Sequence, residues 1–291
     1  MPSKRRAALL FNPRAGAHRA KRLEAIRDAL SGTFDLRFDP TESPEHCRTL
    51  AAQAKNDALD ALFVLGGDGT LRVVASVLAG SGVAVGALPG GTTNVVALSL
   101  GLPMDPVGAA RLLAAATPRE TDLGRCGDQP FLMQVSGGLD ATIMAAADPR
   151  LKKRLGKGAI AIAGFREWRR YRFPEIGLEV DGERLTVTGF VVSNLAQYAG
   201  GYEIVPGARA DDRQLEILLF RGHRRRDAFG FAIDLVRGRH AARADVEIRR
   251  VGRVRVQSPA GQPLQYDGDP FVPSLPIDVE LADERILLLT P

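Results

Sequence analysis

The stretch Leu62-Phe-Val-Leu-Gly-Gly-Asp-Gly-Thr-Leu71 decides the reading of this chain. A short apolar run stops at Gly66-Gly67-Asp68-Gly69-Thr70, and a helix-compatible segment, Leu71 to Leu78, follows. A strand that ends in a glycine-rich turn and opens a helix is a ready anion site. Missing Cβ atoms let backbone N–H groups close on phosphate oxygens, and the helix N-terminus adds partial positive charge. Asp68 is out of place as a phosphate ligand but suits a bound cation or polar ligand group, which points to a nucleotide with Mg²⁺. The plainer alternative is a tight strand-to-helix turn capped by Thr70.

Two further loops of the same kind weigh against the plain turn. Val83 to Leu88 runs into Pro89-Gly90-Gly91, then Thr92, Thr93 and Asn94 at the head of an apolar helix. Ala7 to Phe11 runs into Asn12-Pro13-Arg14-Ala15-Gly16. In an open parallel α/β sheet, ligands gather at the carboxyl ends of the strands, so three such loops predict one crevice. Strands are expected at 6–12, 34–39, 61–66 and 83–88, with helices at 18–31, 43–56, 70–79 and 105–116. This alternation predicts a parallel sheet with crossover helices. From Glu120 the rhythm changes to strand-like runs at 121–126, 131–136, 176–181, 184–193, 215–220, 246–256 and 277–289. Helical stretches fall near 140–147, 150–170 and 226–237, so the second half reads as a β-rich, sandwich-like domain with attached helices.

With 291 residues and 45% hydrophobic content, the chain can bury a large core and is expected to form two domains. Cys47 and Cys126 supply no disulfide framework, which favours a reducing, cytoplasmic setting. Four scattered histidines show no metal-ligand spacing. No signal-peptide apolar region opens the sequence, and no uncharged apolar stretch reaches the ~20 residues that a spanning helix needs. The net charge of +5 is uneven. Arg150, Lys152, Lys153, Arg154, Lys157, Arg166, Arg169, Arg170 and Arg172 face the single acid Glu167, with Trp168, Tyr171 and Phe173 interleaved. Such a segment suits peripheral contact with an anionic membrane surface. An ordinary solvated helix face is the alternative. Nucleic acid fits the charge sign but no recognition motif accompanies it.

Asn12-Pro13-x-x-Gly16, Gly66-Gly67-Asp68-Gly69-Thr70 and Pro89-x-Gly91-Thr92-x-Asn94, in this order, resemble the diacylglycerol kinase catalytic-domain family. That family takes in soluble bacterial diacylglycerol and related lipid kinases, and sphingosine and ceramide kinases. The resemblance continues through Gly137-Gly138-Leu139-Asp140, Val205-Pro206-x-Ala208 with Asp211-Asp212, and Asp267-Gly268-Asp269, and so covers nearly the whole chain. The Gly-Gly-Asp-Gly-Thr element is shared with NAD kinases, while Pro-x-Gly-Thr-x-Asn separates lipid kinases from them.

The resemblance implies a nucleotide-binding α/β domain over 1–120, rejoined by 286–291, and a β-rich lipid-acceptor domain over 121–285. It implies ATP and Mg²⁺ as cofactors, with Asn12, Pro13, Gly16, Gly66, Gly67, Asp68, Gly69, Thr70, Gly91, Thr92 and Asn94 at the nucleotide. Asn12 and Asn94 have an alternative role as turn-closing side chains. The family's Asp-Gly-Glu, whose glutamate is the proposed base for the acceptor hydroxyl, is matched here by Asp267-Gly268-Asp269, so Asp269 is the candidate base alongside Asp68. Asp-Gly-Asp-Pro also reads as a hairpin turn. Val95 stands where many members carry aspartate. Asp212 is the candidate ligand for a structural Mg²⁺, although Arg213 replaces the family's glycine there. The expected activity is ATP-dependent phosphorylation of a membrane-lipid hydroxyl such as that of diacylglycerol. A soluble-acceptor kinase of the NAD kinase type and a catalytically weak lipid-binding protein stay open as rivals, as does the oligomeric state.

Overall fold

The computed structural model describes residues 4–13, 19–147, 157–199, 201–258 and 260–291. The chain divides into two units, Met1–Asp122 with Asp283–Pro291, and Leu123–Ala282.

In the first unit, β1 (Arg5–Phe11), β2 (Phe34–Pro40), β3 (Ala61–Gly66) and β4 (Ala84–Pro89) alternate with α1 (Arg19–Leu30), α2 (Pro44–Asn56) and α3 (Asp68–Leu78). These strands pair in parallel in the order β2-β1-β3-β4. Ala61–Leu65 and Ala84–Pro89 are buried throughout, the continuous apolar pattern of parallel strands covered on both faces. Helix starts are set locally. Ser43 accepts from the His46 N–H at 3.1 Å with Pro44 in the first turn, and Asp105 does the same for Gly108 at 2.7 Å ahead of α5 (Pro106–Leu113). Between them lies α4 (Val95–Ser99), and β5 (Thr117–Thr121) follows α5.

The sheet is completed by β20 (Ile286–Thr290), which lies between β4 and β5, parallel to the first and antiparallel to the second. Arg285, just ahead of it, is ion-paired with the fully buried Asp122 at 2.8 Å. The run read as one strand over 277–289 is therefore two. Its first half, β19 (Ile277–Leu281), belongs to the other unit's sheet. Charged and helix-compatible Asp283-Glu284-Arg285 interrupts the apolar pattern there.

The second unit is an antiparallel sandwich. One sheet has the order β10 (Glu183–Val187), β9 (Ile176–Val180), β16 (Arg253–Ser258), β19, β6 (Gly124–Cys126), β7 (Gln129–Phe131). The other runs β15 (Val246–Val251), β14 (Leu215–Phe220), β11 (Gly189–Ser193), β8 (Gln134–Gly137), β17 (Leu264–Tyr266), β18 (Asp269–Phe271). A two-stranded ribbon, β12 (Gln197–Tyr198) with β13 (Tyr202–Glu203), stands apart. Phe131, Leu178, Val254 and Val279 of the first sheet meet Phe190, Val192, Leu215 and Ile217 of the second in one core. The opposite face of the second sheet also buries apolar side chains, Val191 and Leu218 among them, against Ile204, Val205 and α8 (Arg225–Val236). Burial on both faces explains why β11 and β14 read as unbroken apolar runs. Two more helices, α6 (Leu139–Ala146) and α7 (Lys157–Arg170), pack against each other.

In the sandwich's first sheet, Asp278 of β19 faces its cross-strand partner Arg255 of β16 and also pairs with Arg253. Hydrogen bonds from Arg255 and Arg253 hold the Asp278 carboxyl well below its ordinary value. A depressed folded-state pKa contributes stability that is full above the ordinary carboxylate value and is lost as pH falls through the folded one. Asp278→Asn is accordingly expected to lower the melting temperature at neutral pH, with the deficit closing under strong acid. An equal deficit at every pH would exclude the charge as its cause.

Candidate active site

Register brings the carboxyl ends of the three strands that precede the glycine-bearing stretches to one edge of the first unit. Phe11 pairs with Leu65, and Gly66 with Pro89, so β1, β3 and β4 end level and their loops leave from the carboxyl side of the sheet. Asn12, Pro13 and Thr92 are exposed there. Gly16 lies outside the described residues.

The two loops after β3 and β4 are fastened to each other. The Gly90 N–H donates to the Gly66 carbonyl at 2.8 Å, extending the ladder past the strand ends. A Cβ on Gly91 would sit 2.5 Å from the Gly67 Cα, and one on Gly90 would meet the backbone N of Gly66 at 3.0 Å. Gly67 and Gly91 are thus fixed by backbone-to-backbone packing, a different cause from the phosphate access expected of Gly67. Gly66 lies under the Thr70 side chain. Of the five glycines in these two loops, only Gly69 faces open space on its Cβ side.

Asp68, expected to manage a bound cation, is engaged elsewhere. It is buried, and its Oδ2 accepts from the Thr93 hydroxyl at 3.0 Å while Oδ1 accepts from the Val96 N–H at 3.1 Å. That second bond caps the first turn of α4, so Asp68 braces one loop upon the next. Asn94 has φ 49°, and its side-chain amide closes on the Gly91 backbone in both directions, at 2.8 and 3.1 Å. The turn-closing alternative describes Asn94. Asn12 and Thr92 are exposed at this edge, and Gly69 has open space on its Cβ side at the N-terminus of α3, an arrangement compatible with an anion cradle.

In the second unit, Asp267 and Gly268 are the two central residues of the β17–β18 hairpin turn, both with positive φ (49° and 85°). This is the mirror-type turn that suits twisted strands. The Asp267 carboxylate accepts from the N–H groups of Leu132, Met133 and Gln134 at 2.7, 2.9 and 3.0 Å, tying the turn to the start of β8. Asp269 is the next residue and is exposed. The hairpin reading and the base reading are therefore compatible: the turn is what presents Asp269.

Asp212 lies near the half-turn before β14. Its Oδ1 accepts from the Gln214 N–H at 3.1 Å, and its like-charged neighbour Glu216 has one buried oxygen, Oε2, without a hydrogen-bond partner. Burial and then Asp212 raise the Glu216 pKa, whereas Arg250 lowers it. The cation beside this pair is Arg250, 3.7 Å from each carboxylate. Arg213 instead donates to the Ala282 carbonyl at 3.1 Å. Arg213 has φ 58°, a left-handed backbone that accounts for glycine at the matching family position. Among the described residues no group of three or more His, Cys, Asp or Glu side chains is placed to hold a metal.

The sequence did not reveal the cavity of about 250 Å³ in the second unit, walled by β11, β14, α6 and α8. Its lining is apolar (Ile143, Phe190, Leu218, Phe231) except where Asp140, Tyr198 and Thr188 face it. Ser136, Tyr198 and Gln265 all donate to the Asp140 carboxylate, the last at 3.1 Å. Burial first, and then Asp140, hold the Tyr198 phenol well above its ordinary pKa, so it stays a donor.

The basic stretch is corrected in part. Tyr171 and Phe173 are buried, edge to face 5.1 Å apart, and Phe173 lines the cavity. Arg150, Lys152, Lys153 and Arg154 fall outside the described residues. Along α7, Ile162 and Phe165 are 58% and 61% exposed, and the Trp168 ring stacks between Phe165 and Phe229 of α8 at 6.0 Å from each. The exposed cations Arg166, Arg169 and Arg170 share that helix.

A family model for the diacylglycerol kinase catalytic domain matches residues 6–126, and one for the YegS C-terminal NAD kinase beta sandwich-like domain matches 133–290. A Chromohalobacter salexigens protein named "Probable lipid kinase YegS-like" is 32% identical over 76% of this chain and 73% of its own length. A Pseudomonas fluorescens protein of the same name is 29% identical over 92% and 90%. A crystal structure from Bacillus anthracis superposes with TM-score 0.83 at 21% identity, covering 99% of this chain and 95% of that one. Another, titled as that of a diacylglycerol kinase from the same organism, gives 0.72 at 17% identity over 99% and 97%. At these identities the superpositions speak for the fold alone. The chain belongs to the YegS-like family of lipid kinases and carries that family's catalytic α/β domain and C-terminal sandwich. It is a kinase.

Proposed function

We propose that this kinase transfers the γ-phosphoryl group of ATP to a hydroxyl of a membrane lipid such as diacylglycerol. The observation that carries the acceptor class is the cavity of the second unit, apolar along its walls and polar only at Asp140, Tyr198 and Thr188. A hydrocarbon chain is matched by such walls, and a glycerol-like hydroxyl by such an end. The soluble acceptor NAD offers no comparable apolar surface.

In this reading Asn12, Gly69, Thr70 and Thr92 hold the nucleotide, while Asp68, Gly67, Gly91 and Asn94 keep their loops in place. Asp269 takes the acceptor's hydroxyl proton as that oxygen bonds the γ-phosphorus and the bond to departing ADP breaks. Bound Mg²⁺ supplies neutralisation of phosphate charge. The orphaned Oε2 of Glu216 beside Asp212 fits a second, structural divalent ion, which these two carboxylates would hold.

Among the described residues no helix is long and apolar enough to cross a membrane. The lipid is reached from the surface instead. Exposed Ile162, Phe165 and Phe229 with the arginines of α7 form a face that suits an anionic bilayer. Binding to phosphatidylglycerol-containing vesicles is expected to weaken steeply with salt, as the Debye length falls from about 10 Å at 0.1 M to about 3 Å at 1 M. Replacing Arg169 and Arg170 by glutamate is expected to weaken it as well. Incubation with radiolabelled ATP is expected to label a vesicle-borne diacylglycerol or related lipid and leave NAD unlabelled. Label on NAD with none on any lipid would refute the proposal.

A further inference from the structure

We infer that Gln265 is a positioning residue whose side-chain amide couples the polar end of the lipid cavity to the turn that presents Asp269. This rests on the reading of Asp269 as the base. Gln265 is 1% exposed and sits in β17 opposite Ser136 of β8. Its neighbour Leu264 packs into the sandwich core, so strand alternation sends Gln265 to the other face, toward α6 and the cavity.

A buried amide there has to be satisfied on both ends, and it is. Its Nε2 donates to the Ser136 hydroxyl oxygen at 2.7 Å and to Asp140 Oδ2 at 3.1 Å, while its Oε1 accepts from the Gly268 N–H at 2.7 Å. The amide's orientation follows from these partners. Turned over, it would set its oxygen against a carboxylate and its NH₂ against an N–H. Gly268 is the residue directly before Asp269, and the turn's other anchor, Asp267, is spent on the N–H groups of Leu132, Met133 and Gln134.

The connection therefore runs from the cavity, through Asp140 and Gln265, to the peptide N–H that begins Asp269's own approach. Asp140 also holds Tyr198, which lines the same cavity. A lipid hydroxyl that replaced or joined a donor at Asp140 would shift the amide of Gln265, and with it the turn. Acceptor binding and the placement of the base are thus one mechanical unit. Geometry of this kind governs rate more than affinity, since misplacing a reacting group by about 1 Å costs on the order of 10²-fold.

Two variants of the full chain separate this role from simple core support. Gln265→Leu removes both ends of the amide, and kcat for the lipid is expected to fall about 10²-fold with KM for ATP unchanged. Gln265→Glu keeps the acceptor for Gly268 but opposes Asp140, with Tyr198 donating to the same carboxylate. Its activity is expected to recover as the pH is lowered and the new carboxyl gains a proton to donate, whereas Gln265→Leu does not recover. A parent-like pH profile for Gln265→Glu overturns the inference.

A second readout needs no turnover. Dodecanol serves as a cavity probe, with hydrogen exchange followed at the amides of residues 267–269. In the parent the probe is expected to slow exchange at the turn, and in Gln265→Leu to leave it unchanged. Equal slowing in both, or none in the parent, overturns the coupling. Absence of label on every lipid, with the turn still responding, refutes the lipid-kinase proposal and leaves the coupling standing.

Discussion

Asp269→Asn is expected to reduce phosphoryl transfer to lipid by about 10²–10⁴-fold, the span that a positioned general base contributes. The substitution keeps shape and loses basicity at an exposed position that follows a turn anchored by Asp267 and Gln265, so the fold and ATP binding are expected to be unchanged. Asp269→Glu adds the methylene that restores the reach of the family's glutamate and is expected to retain or raise activity. Steady-state kinetics beside nucleotide affinity and a thermal melt decide the matter. An Asp269→Asn enzyme running at the parent rate would return the segment to a plain hairpin and place the base elsewhere.

The largest contrast is expected between two glycines of neighbouring loops. Gly91→Val forces a side chain into the Gly67 backbone, where even a Cβ would stand 2.5 Å from Cα. Overpacking of that order costs about 1–3 kcal/mol, so both the melting temperature and ATP turnover are expected to fall. A Cβ added at Gly69 meets nothing within 4 Å, and the residue lies at the head of α3, so the fold is expected to tolerate Gly69→Val. Its cost should appear in ATP affinity alone, because the new side chain occupies the anion cradle. Nucleotide binding by calorimetry and a thermal melt on both variants give the test. Unaltered ATP affinity in folded Gly69→Val would move the nucleotide away from the α3 N-terminus.

Much of this was legible in the chain. A strand-to-helix turn announces itself through glycine after an apolar run, so the loops at 66–70 and 89–94 could be placed at the carboxyl ends of their strands. Long-range partnerships could not. Asp68 finds Thr93 and Val96 only because β3 and β4 are neighbours in the sheet. Tyr171 and Phe173 read as surface aromatics from their arginine neighbours, yet they turn inward where α7 ends and a left-handed Phe173 redirects the chain. Gln265 carries no local signal of any kind. One polar residue between Leu264 and Tyr266 looks like ordinary strand alternation until Ser136, Asp140 and Gly268 are seen around it.

The position of β20 bears on how a ribosome delivers this protein. Among the described residues β5 pairs only with β20, and β4 pairs with β3 on one side and β20 on the other. Those five residues are translated after all of Leu123–Ala282. The inserted sandwich can thus finish folding while the nucleotide-loop unit still shows an open strand edge, the feature most prone to mispairing with another nascent chain. Synthesis itself therefore delays a complete first-unit sheet until the whole sandwich has been translated.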